Sequence, residues 1–429
     1  MDADRKTTAG AAGETSVDAR LAQLVASRQP GHSLPAAFYT DEDVYRREID
    51  EIWRRSWLVA GHSCQLAAPG DYITFELADD SVLVIRGDDG RIRALHNVCR
   101  HRGTLLTTES EGRVGRLVCP YHQWTYARDG QLLSCRGMPA DFDRAAWSLR
   151  PVAVEEVAGL VFLCLAEEPP PFAPARETLQ AMLPPQGLAA AKVACAIDYQ
   201  IDANWKIVWE NNRECYHCNA NHPQYIKANF DHYNADDTTP RIRDEIDTAV
   251  RRSEEKWAAA GLAVSHRQTG MTIFPDVASG CWYSANRTPL VEGYLTESMD
   301  GQLVAPLMGD YTAADVGTLR VRTVPNFWNH SSADHSVSTQ LAPAGLRQTR
   351  ARVTWLVRGD AVPGRDYTLE RLCPFWQLTS EQDWELCRRV QRGVVSSGYR
   401  PGPFSRDKEY NVENFVRWYL TRLVAAEHA

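Results

Sequence analysis

Two cysteines and two histidines, arranged as two close pairs, constrain the fold of this chain more than any other feature. The first pair is Cys99 and His101, separated by one residue, and the second is Cys119 and His122, separated by two residues. Each pair stands in a turn between short runs of β-forming residues. Thiolate together with imidazole is typical of an iron–sulfur cluster or a zinc ion. We therefore predict that two loops of a β domain converge on one metal centre.

A second group of candidate ligands has the pattern Glu-x2-His-x4-His, formed by Glu214, His217 and His222. The sequence predicts a helix over 204–218, on which Glu214 and His217 share a face because they are three residues apart. On an ideal helix with 3.6 residues per turn, His222 would lie about 140° from His217, so one undistorted helix would not direct both imidazoles to one metal. Weak helix formers and a proline follow. We therefore expect the helix to loosen after Cys218 and His222 to approach from the turn.

The late acidic residue Asp383 is a candidate third ligand for this second group. It is expected in the opening turns of a helix over 380–395, together with Glu381. Two histidines and one carboxylate that leave open coordination positions are typical of a mononuclear ferrous iron that reacts with oxygen. An acidic residue near a helix start can equally be a partner of the helix dipole. The sequence alone leaves both interpretations open.

Structural roles are the alternatives for both groups. Zinc uses the same cysteine and histidine ligands as the first group. A single histidine on a helix usually has a structural role. Cys215 and Cys218, two cysteines with two residues between them beside a histidine, have the spacing of a fragment of a zinc site.

The composition is that of a globular chain with more than one domain. Its 429 residues are 44% hydrophobic and 24% charged, which exceeds the size of one ordinary domain and is not typical of a disordered chain. The formal net charge is −8, from 47 basic and 55 acidic residues. This balance argues against nucleic acid as a partner.

Three features of the sequence favour a reducing, cytoplasmic location. No run of 18 apolar residues is present, so we expect no membrane span. The first ten residues lack the apolar core of a signal peptide. The cysteines number eleven, and an odd count in a long chain without a secretory signal favours reduced thiols or metal ligands over a disulfide framework.

Local patterns divide the chain into five segments. The first 35 residues show no periodicity, so we predict disorder there. A helix is expected to start at Thr40, with Asp43 completing a variant of the capping box. Three consecutive prolines at 169–171 predict a stiff linker. The predicted segments are a disordered 1–35, a helical 36–70 that packs on the last domain, an all-β 71–166, a Pro-rich linker 167–185 and an α+β domain 186–429.

The two larger segments differ in their secondary-structure patterns. Short β runs separated by Gly and Asp turns occur in the first, at 71–77, 81–87, 91–98, 115–122 and 159–166. Strand-like and helical runs are mixed in the second, with strands at 193–201, 271–275, 318–324 and 349–357 and helices at 204–218, 244–260, 380–395 and 410–424. Because these do not alternate regularly, we favour an α+β fold over a doubly wound parallel sheet.

The residues around the first ligand group, CRHRGT and CPYHQWTY, resemble the Rieske domain over about 70–166. The resemblance implies a [2Fe–2S] cluster in which one iron is held by two cysteines and the other by two histidines. The implied ligands are Cys99, His101, Cys119 and His122. One residue departs from the pattern, because many relatives have Gly where this chain has Gln123.

From about residue 35 to its C-terminus, the chain resembles the catalytic (alpha) subunit of the Rieske non-haem iron oxygenases. The resemblance implies that His217, His222 and Asp383 bind a mononuclear Fe(II). It implies that Glu214 carries electrons to this iron from the cluster of a neighbouring subunit, which requires an oligomer, by resemblance a homotrimer. It also implies an α+β catalytic domain with a central antiparallel sheet of the helix-grip type. Cys215 and Cys218 belong to neither ligand group of the family, and we interpret them as buried packing residues.

The oxygenase chemistry implies partners that this chain does not contain. The sequence shows no G-x-G-x-x-G after a strand and no C-x4-C-x2-C ferredoxin run. A separate flavin/iron–sulfur reductase that takes electrons from NAD(P)H is therefore expected, with O2 as the cosubstrate.

The stretches ENNRECYHCNANHPQ, NHSSADH and TSEQDW resemble the subgroup that N-demethylates quaternary ammonium compounds such as glycine betaine and proline betaine. Hydroxylation of an N-methyl group gives an unstable carbinolamine, which releases formaldehyde. A quaternary ammonium is recognised by aromatic faces, and an Arg or Asn is expected at the substrate carboxylate. The aromatic candidates are Trp209, Tyr283, Phe327, Trp328 and Trp376.

Two other functions remain open from the sequence. One is a Rieske oxygenase that acts on an aromatic ring or an aromatic carboxylate, whose pocket would also be aromatic. The other is a non-catalytic Rieske electron carrier or a zinc-stabilised binding protein. The second ligand group argues against a carrier, because a carrier needs only the β domain.

Overall fold

The structure is a computed structural model that describes residues 19–229, 239–264 and 281–424. The strands are β1 Leu58–His62, β2 Asp71–Leu77, β3 Asp80–Arg86, β4 Ile92–His96, β5 Glu111–Arg113, β6 Leu117–Val118, β7 Thr125–Tyr126, β8 Leu132–Ser134, β9 Pro151–Val157, β10 Leu160–Cys164, β11 Ala191–Ile201, β12 Tyr283–Thr288, β13 Thr318–Thr323, β14 Phe327–Ser331, β15 Ser336–Gly345 and β16 Gln348–Arg358. The helices are α1 over 19–26, α2 Ala37–Thr40, α3 Glu42–Glu48, α4 Ala173–Met182, α5 Trp205–Asn212, α6 Cys218–Asn221, α7 Pro223–Ala228, α8 Pro240–Ala259, α9 Leu369–Leu372, α10 Pro374–Val394 and α11 Tyr410–Val424. Among the described helices, none combines the length and the apolar character that crossing a bilayer requires.

The first half of the chain forms the predicted all-β unit. Seven antiparallel strands lie in the order β1-β10-β9-β4-β3-β2-β5, beside a small sheet of β6, β7 and β8. Strands β3 and β10 are buried along most of their length, because their Val, Ile and Leu side chains pack on both faces of the sheet. The small sheet and the loops around it carry the first ligand group.

The second half contains a six-stranded antiparallel sheet in the order β11-β16-β15-β14-β13-β12. Helices α5 and α10 pack against each other, and both contact this sheet. The predicted α+β class is therefore confirmed. Three strands, β12, β14 and β15, were absent from the sequence-based prediction, and the predicted strand at 271–275 lies outside the described residues.

The prediction of a disordered N-terminus is wrong for the described part of that segment. Residues 19–26 are helical, and the side chains of Leu21 and Leu34 are buried in the main core. Residues 1–18 lie outside the described range. The predicted cap is also displaced, because the carboxylate of Asp41 accepts hydrogen bonds from the backbone N–H groups of Asp43 and Val44 at the start of α3. Thr40 instead ends α2, and its hydroxyl donates to the carbonyl of Ala36.

Two predicted segment boundaries need correction. The segment 36–70 was predicted as helical, but its strand β1 pairs with β10 and completes the sheet of the β unit. The segment 167–185 was predicted as a linker, but it contains helix α4, whose Ala175, Leu179 and Met182 are buried. Proline at the start of a helix is compatible with its first turn, which explains how a Pro-rich stretch leads directly into α4.

A buried ion pair connects the N-terminal helices to α5 and α11. The ammonium of Lys206 donates to Glu48 at 2.6 Å, and both side chains are fully buried. Glu48 also accepts hydrogen bonds from the indole of Trp205 at 2.7 Å and from the hydroxyl of Tyr419 at 2.6 Å. Burial lowers the pKa of Lys206, an effect that Glu48 opposes.

We expect Lys206→Met to destabilise the protein by about 3–5 kcal/mol, because it leaves the Glu48 carboxylate buried without its cation. The measurement is the shift of the urea unfolding midpoint. The double variant Glu48→Gln/Lys206→Met is the control, since it removes both charges and should lose less stability. Equal losses in the single and double variants would contradict the role of the pair.

Candidate functional site

The structure brings the four residues of the first ligand group together at the tip of the β unit. Cys99 and Cys119 are buried, and the rings of His101 and His122 lie with their centroids 4.6 Å apart. The pKa of the Cys99 thiol is raised by burial and by the neighbouring Cys119. Among the described residues, the buried Nδ1 of His122 has no hydrogen-bond partner. Two sulfur and two nitrogen donors that include an unsatisfied imidazole nitrogen fit a [2Fe–2S] cluster in which the two sulfurs hold one iron and the two nitrogens hold the other.

Backbone turns position both ligand pairs. The backbone N–H of Gly103 donates to the carbonyl of Cys99, and the N–H of Gln123 donates to the carbonyl of Cys119. Gln123 has a φ of +59°, a left-handed conformation that glycine adopts without a steric cost. A glycine at this position would therefore adopt the same turn without a steric cost.

A tyrosine hydroxyl lies against one of the sulfur atoms. The Oη of Tyr126 is 3.4 Å from the Sγ of Cys99 and accepts a hydrogen bond from the backbone N–H of Arg100 at 3.1 Å. Tyr126 is fully buried, and burial together with Cys99 raises the pKa of its hydroxyl. A neutral hydroxyl is therefore available to donate to a cluster-bound thiolate.

We expect Tyr126→Phe to lower the reduction potential of the cluster by about 40 mV. A hydrogen bond to a thiolate stabilises the more negative, reduced cluster, and one net hydrogen bond of about 1 kcal/mol corresponds to that shift in a one-electron couple. Spectroelectrochemical titration measures the potential. Tyr121→Phe is the matched control, because the Tyr121 hydroxyl accepts from Arg102 instead. Equal potentials in the two variants would show that the Tyr126 hydroxyl has no such role.

The chain around the second ligand group leaves the helix earlier than predicted. Helix α5 ends at Asn212, so Glu214 and His217 lie in a turn before α6 and do not share a helix face. His222 has a φ of −125° and a ψ of 64° between α6 and α7. The predicted break after Cys218 is therefore wrong in position, although His222 does lie outside a regular helix. Because α10 begins at Pro374, Asp383 lies in the middle of that helix rather than at its start.

Two imidazoles and one carboxylate converge at this point. The Oδ1 of Asp383 lies 3.2 Å from the Nε2 of His217 and 2.9 Å from the Nε2 of His222. On the far side of the ring, the Nδ1 of His217 is 2.5 Å from the Oε1 of Glu214. Burial lowers the pKa of His217, but Asp383 and Glu214 outweigh burial and raise it to about 10. The local field therefore favours positive charge between the carboxylates, and the donor set fits an iron with two histidines and one carboxylate.

Two glutamines behind His222 were not found from the sequence. The Oε1 of Gln382 lies 2.8 Å from the Nδ1 of His222, and the same oxygen accepts from the amide of Gln224 at 3.0 Å. The amide of Gln224 also donates to the hydroxyl of Thr379 at 2.9 Å. An acceptor at Nδ1 leaves Nε2 with its lone pair directed at a metal. The sequence offered one clue to these two glutamines, which is their position beside the ligands. Gln382 directly precedes Asp383, and Gln224 follows His222 by two residues.

The cysteines between the candidate iron ligands are bonded to each other, which corrects the prediction of reduced thiols at these positions. Cys215 and Cys218 form a disulfide, with Cα atoms 4.9 Å apart. Both are buried, as packing residues would be. The Sγ of Cys218 lies 4.0 Å from the Nε2 of His217 and is a possible metal donor by distance. The disulfide engages this sulfur, so the Asp383 carboxylate is the better third ligand.

A cavity beside Asp383 is the candidate substrate site. Its aromatic walls are formed by Tyr225, Trp328, His330, Trp376 and Trp384, and its polar lining includes Asn211, Asn212, Arg322, Thr379 and Ser380. Of the five aromatic residues expected at the substrate, Trp328 and Trp376 line this cavity. Tyr225, His330, Trp384 and Arg322 line it as well and were missed from the sequence.

The other three aromatic candidates lie elsewhere, which corrects their prediction. Trp209 is fully buried behind Trp328, with ring centroids 5.3 Å apart. Phe327 packs in a separate hydrophobic cluster, because neighbouring residues of a strand point to opposite faces of the sheet. Tyr283 is half-buried and packs against Trp282.

His330 is held in the cavity wall as a neutral ring. Its Nδ1 is 3.2 Å from the Oε1 of Glu297, and its ring centroid lies 4.4 Å from that of Trp376. Burial lowers the pKa of His330 to about 4 and outweighs the raising effect of Glu297. The imidazole therefore adds no positive charge to the wall at neutral pH.

Comparisons with known proteins agree with this architecture. The profile of the ring hydroxylating alpha subunit (catalytic domain) matches residues 188–425, and that of the Rieske [2Fe-2S] domain matches residues 56–149. The chain therefore belongs to the Rieske non-haem iron oxygenases. It is an enzyme of the Rieske monooxygenase type, with a [2Fe–2S] cluster and a mononuclear iron as cofactors and a separate reductase as its partner.

Individual relatives show which Rieske oxygenases this chain is similar to. The chain is 40% identical to the glycine betaine monooxygenase oxygenase subunit of Chromohalobacter salexigens over 94% of this chain and 88% of the relative. It is 38% identical to the protein of the same description from Pseudomonas aeruginosa over 94% and 92%. A quaternary ammonium Rieske monooxygenase solved with the substrate gamma-butyrobetaine has a TM-score of 0.66 at 22% identity, over 92% of this chain and 98% of that one, which supports the fold. The chlorobenzene dioxygenase subunit alpha of a Cupriavidus strain matches only 34% of this chain.

Proposed function

We propose that this chain hydroxylates an N-methyl group of a betaine, either glycine betaine or proline betaine, and thereby releases formaldehyde and the N-demethylated amine. The observation that carries this proposal is the cavity beside Asp383, where several aromatic rings and one guanidinium face the same space. The identity to glycine betaine monooxygenase oxygenase subunits over most of the chain supports it.

The residue roles are part of this proposal. Cys99, His101, Cys119 and His122 are assigned to the cluster, and His217, His222 and Asp383 to the mononuclear iron. The support is the convergence of the donor atoms in each group. Bound iron would supply O2 activation with electrons that arrive through the cluster. The chain itself contributes the ligands, their hydrogen-bonded orientation and the walls that hold the substrate.

The aromatic walls suit the cationic end of a betaine. A quaternary ammonium has no N–H to donate, so ring faces attract it through cation–π interactions, each of about 2 kcal/mol when desolvated. Trp328, Trp376 and Tyr225 are each almost completely buried, which makes these ring faces dry. The two acidic residues of the lining, Glu214 and Asp383, both contact His217; Asp383 is assigned to the iron and Glu214 to the electron bridge.

Arg322 suits the other end of the substrate. It belongs to β13 and lines the same cavity as Trp328 and Trp376. A guanidinium binds a carboxylate through two parallel hydrogen bonds. With the carboxylate held at Arg322 and the ammonium against the rings, an N-methyl group would face the site of His217, His222 and Asp383.

We expect Arg322→Gln to raise the KM for glycine betaine by about 10- to 100-fold, because a hydrogen bond to a charged group contributes about 1.5–3 kcal/mol. Choline is the matched comparison, since it carries the same trimethylammonium group without a carboxylate. The ratio of kcat/KM for the two compounds should therefore shift towards choline. An unchanged ratio would contradict the assignment of Arg322.

The reaction balances as a monooxygenation. One oxygen atom of O2 enters the N–CH3 group as N–CH2OH, and the other leaves as water with two electrons and two protons. The carbinolamine then loses formaldehyde and a proton, which leaves the tertiary amine. NAD(P)H supplies the electrons through the separate reductase, for which we propose the flavin/iron–sulfur type.

A homotrimer in which one subunit reduces the next is also part of the proposal. The tip of the β unit exposes apolar side chains near the cluster ligands, among them Val118, Tyr121 and Trp147. A crevice on the outer side of Glu214 and His217 is lined by Glu210, Glu409, Val390 and Phe404. Docking of a neighbour's tip into this crevice would place Glu214 between the cluster and the iron. Sedimentation equilibrium of the purified protein tests the oligomer count.

The test of the function is formaldehyde release in the presence of a compatible reductase, NADH and O2. The substrate panel is glycine betaine, proline betaine, choline, carnitine and benzoate. The proposal predicts one formaldehyde per NADH with one of the two betaines. NADH consumption with a hydroxylated benzoate and no formaldehyde would instead assign the enzyme to aromatic substrates. About three irons and two sulfides per chain are expected, as the sum of the two centres.

A further inference from the structure

The turn that carries the candidate iron ligands holds more metal donors than a mononuclear iron uses. Cys215 and Cys218 flank His217 at this turn, and His222 follows directly after helix α6. The donor atoms of His217, Cys218 and His222 all lie within 4.8 Å of one another. Both cysteines are buried and line the cavity beside Asp383. The sulfur of Cys218 is therefore a neighbour of the metal position rather than a remote packing group.

The distances are close to those of a metal site. Zinc binds thiolate sulfur at about 2.3 Å and imidazole nitrogen at about 2.0–2.1 Å, so a sulfur and a nitrogen on one tetrahedral zinc are about 3.5 Å apart. The Sγ of Cys218 is 4.0 Å from the Nε2 of His217. The bond to Cys215 engages this sulfur and withholds the thiolate, which is the form that binds metals.

We propose that the Cys215–Cys218 disulfide limits the zinc affinity of this site, and that its reduction creates a tighter zinc site in which the Cys218 thiolate joins His217 and His222. The inference rests on the proposed function only in taking these two histidines as metal ligands. One dithiol molecule supplies two electrons and two protons: the S–S bond breaks, two thiols form, and the reductant becomes a disulfide. When zinc binds, the Cys218 thiol releases its proton to solvent.

The change in zinc affinity follows from ligand chemistry. Two imidazoles and the Asp383 carboxylate leave open positions and can hold either ferrous iron or zinc. A thiolate added to the same set favours zinc, which binds sulfur and nitrogen in a closed tetrahedron and has no redox chemistry. The disulfide state would therefore shift the competition between zinc and the iron that can react with oxygen.

The test measures zinc binding without any turnover. The full-length protein is stripped of its mononuclear iron with a chelator, and its visible absorbance verifies that the cluster is intact. One sample keeps the disulfide, and a second is reduced with dithiothreitol and desalted without oxygen, which should add two titratable thiols. Zinc chloride is titrated against a chromogenic chelator. We expect reduction to tighten zinc binding by more than the roughly 10- to 100-fold that a change in an outer-shell partner produces.

Two single variants separate a ligand role from a structural one. Cys215→Ser and Cys218→Ser both remove the disulfide, but only Cys215→Ser leaves the Cys218 thiol. We expect Cys215→Ser to bind zinc like the reduced protein without any reductant, and Cys218→Ser to bind weakly with or without it. Cobalt chloride provides the spectroscopic signature, since a Co(II)–thiolate charge-transfer band should appear in Cys215→Ser and be absent in Cys218→Ser.

Equal zinc affinities of the oxidised and reduced protein would overturn the proposal. Equal affinities of the two variants, or no thiolate band in Cys215→Ser, would also overturn it, because the disulfide would then act only on the fold of the turn. Failure of the betaine proposal is distinguishable from these results, since it would appear in formaldehyde release and would leave the metal titrations unchanged.

Discussion

Asp383→Ala will release the mononuclear iron and leave the cluster in place. Asp383 is the carboxylate that lies within 3.2 Å of both candidate imidazole ligands, and without it His217 and His222 alone would have to hold the metal. Loss of an outer-shell partner already costs about 10- to 100-fold in metal affinity, and loss of a direct ligand should cost more. We expect iron per chain to fall from about three to about two, with turnover lost and the brown cluster absorbance unchanged.

The control for this prediction lies two residues away on the same helix. Glu381 is exposed and accepts a hydrogen bond from the amide of Gln377, so Glu381→Ala changes the charge of α10 by the same amount without touching the ligands. The measurement is the iron and sulfide content of Asp383→Ala and Glu381→Ala. If Asp383→Ala retained three irons per chain, the third ligand would have to be another residue.

Most residues of the two candidate ligand groups could be proposed from the sequence because they stand at short, fixed spacings, whereas Asp383 lies far along the chain and was proposed from the family resemblance. Cys99 to His101 and Cys119 to His122 each span one tight turn, and the structure brings all four residues together. The orientation of the second group could not be predicted in the same way. Helix α5 ends at Asn212 because of the turn that follows, in which the Glu214 carboxylate accepts from the backbone N–H groups of Tyr216 and His217. That side-chain cap competes with continuation of the helix.

The cavity walls could not be predicted because they depend on strands with a polar sequence. Strand β14 has the sequence FWNHS, which lacks the apolar pattern of a buried strand, yet all five residues are buried. Its Asn329 amide donates to the hydroxyls of Ser331 and Ser336, so the polar groups satisfy each other. Because β14 was not predicted from the sequence, the sequence could not indicate that Trp328 faces the cavity and that Phe327 faces away from it.

Glu214→Gln will retain both metal centres and lose turnover. Glu214 touches His217 through Nδ1 and lies at the crevice where a neighbouring subunit is proposed to dock. Glutamine has nearly the same shape and keeps a carbonyl oxygen that can accept from Nδ1 and from the backbone of the turn. It removes only the negative charge, so the iron ligand should stay in place while the bridge for electrons is weakened. We expect the fall in kcat to reach at least the roughly 10- to 100-fold typical of such partners.

Two roles for Glu214 give different results in a single-turnover experiment. If Glu214 acts as the electron bridge, the pre-reduced cluster will be reoxidised slowly by O2 and substrate, although iron content and substrate binding match the wild type. If Glu214 only orients His217, iron content or the spectrum of the iron site will change, and the iron that remains will take electrons at the normal rate. Glu210→Gln is the control, since Glu210 lies four residues earlier, faces the same crevice and accepts from Tyr39. Cluster reoxidation in Glu210→Gln should therefore stay near the wild-type rate. Equal slowing in Glu214→Gln and Glu210→Gln would mean that the charge of the crevice, rather than contact with His217, governs electron transfer to the iron.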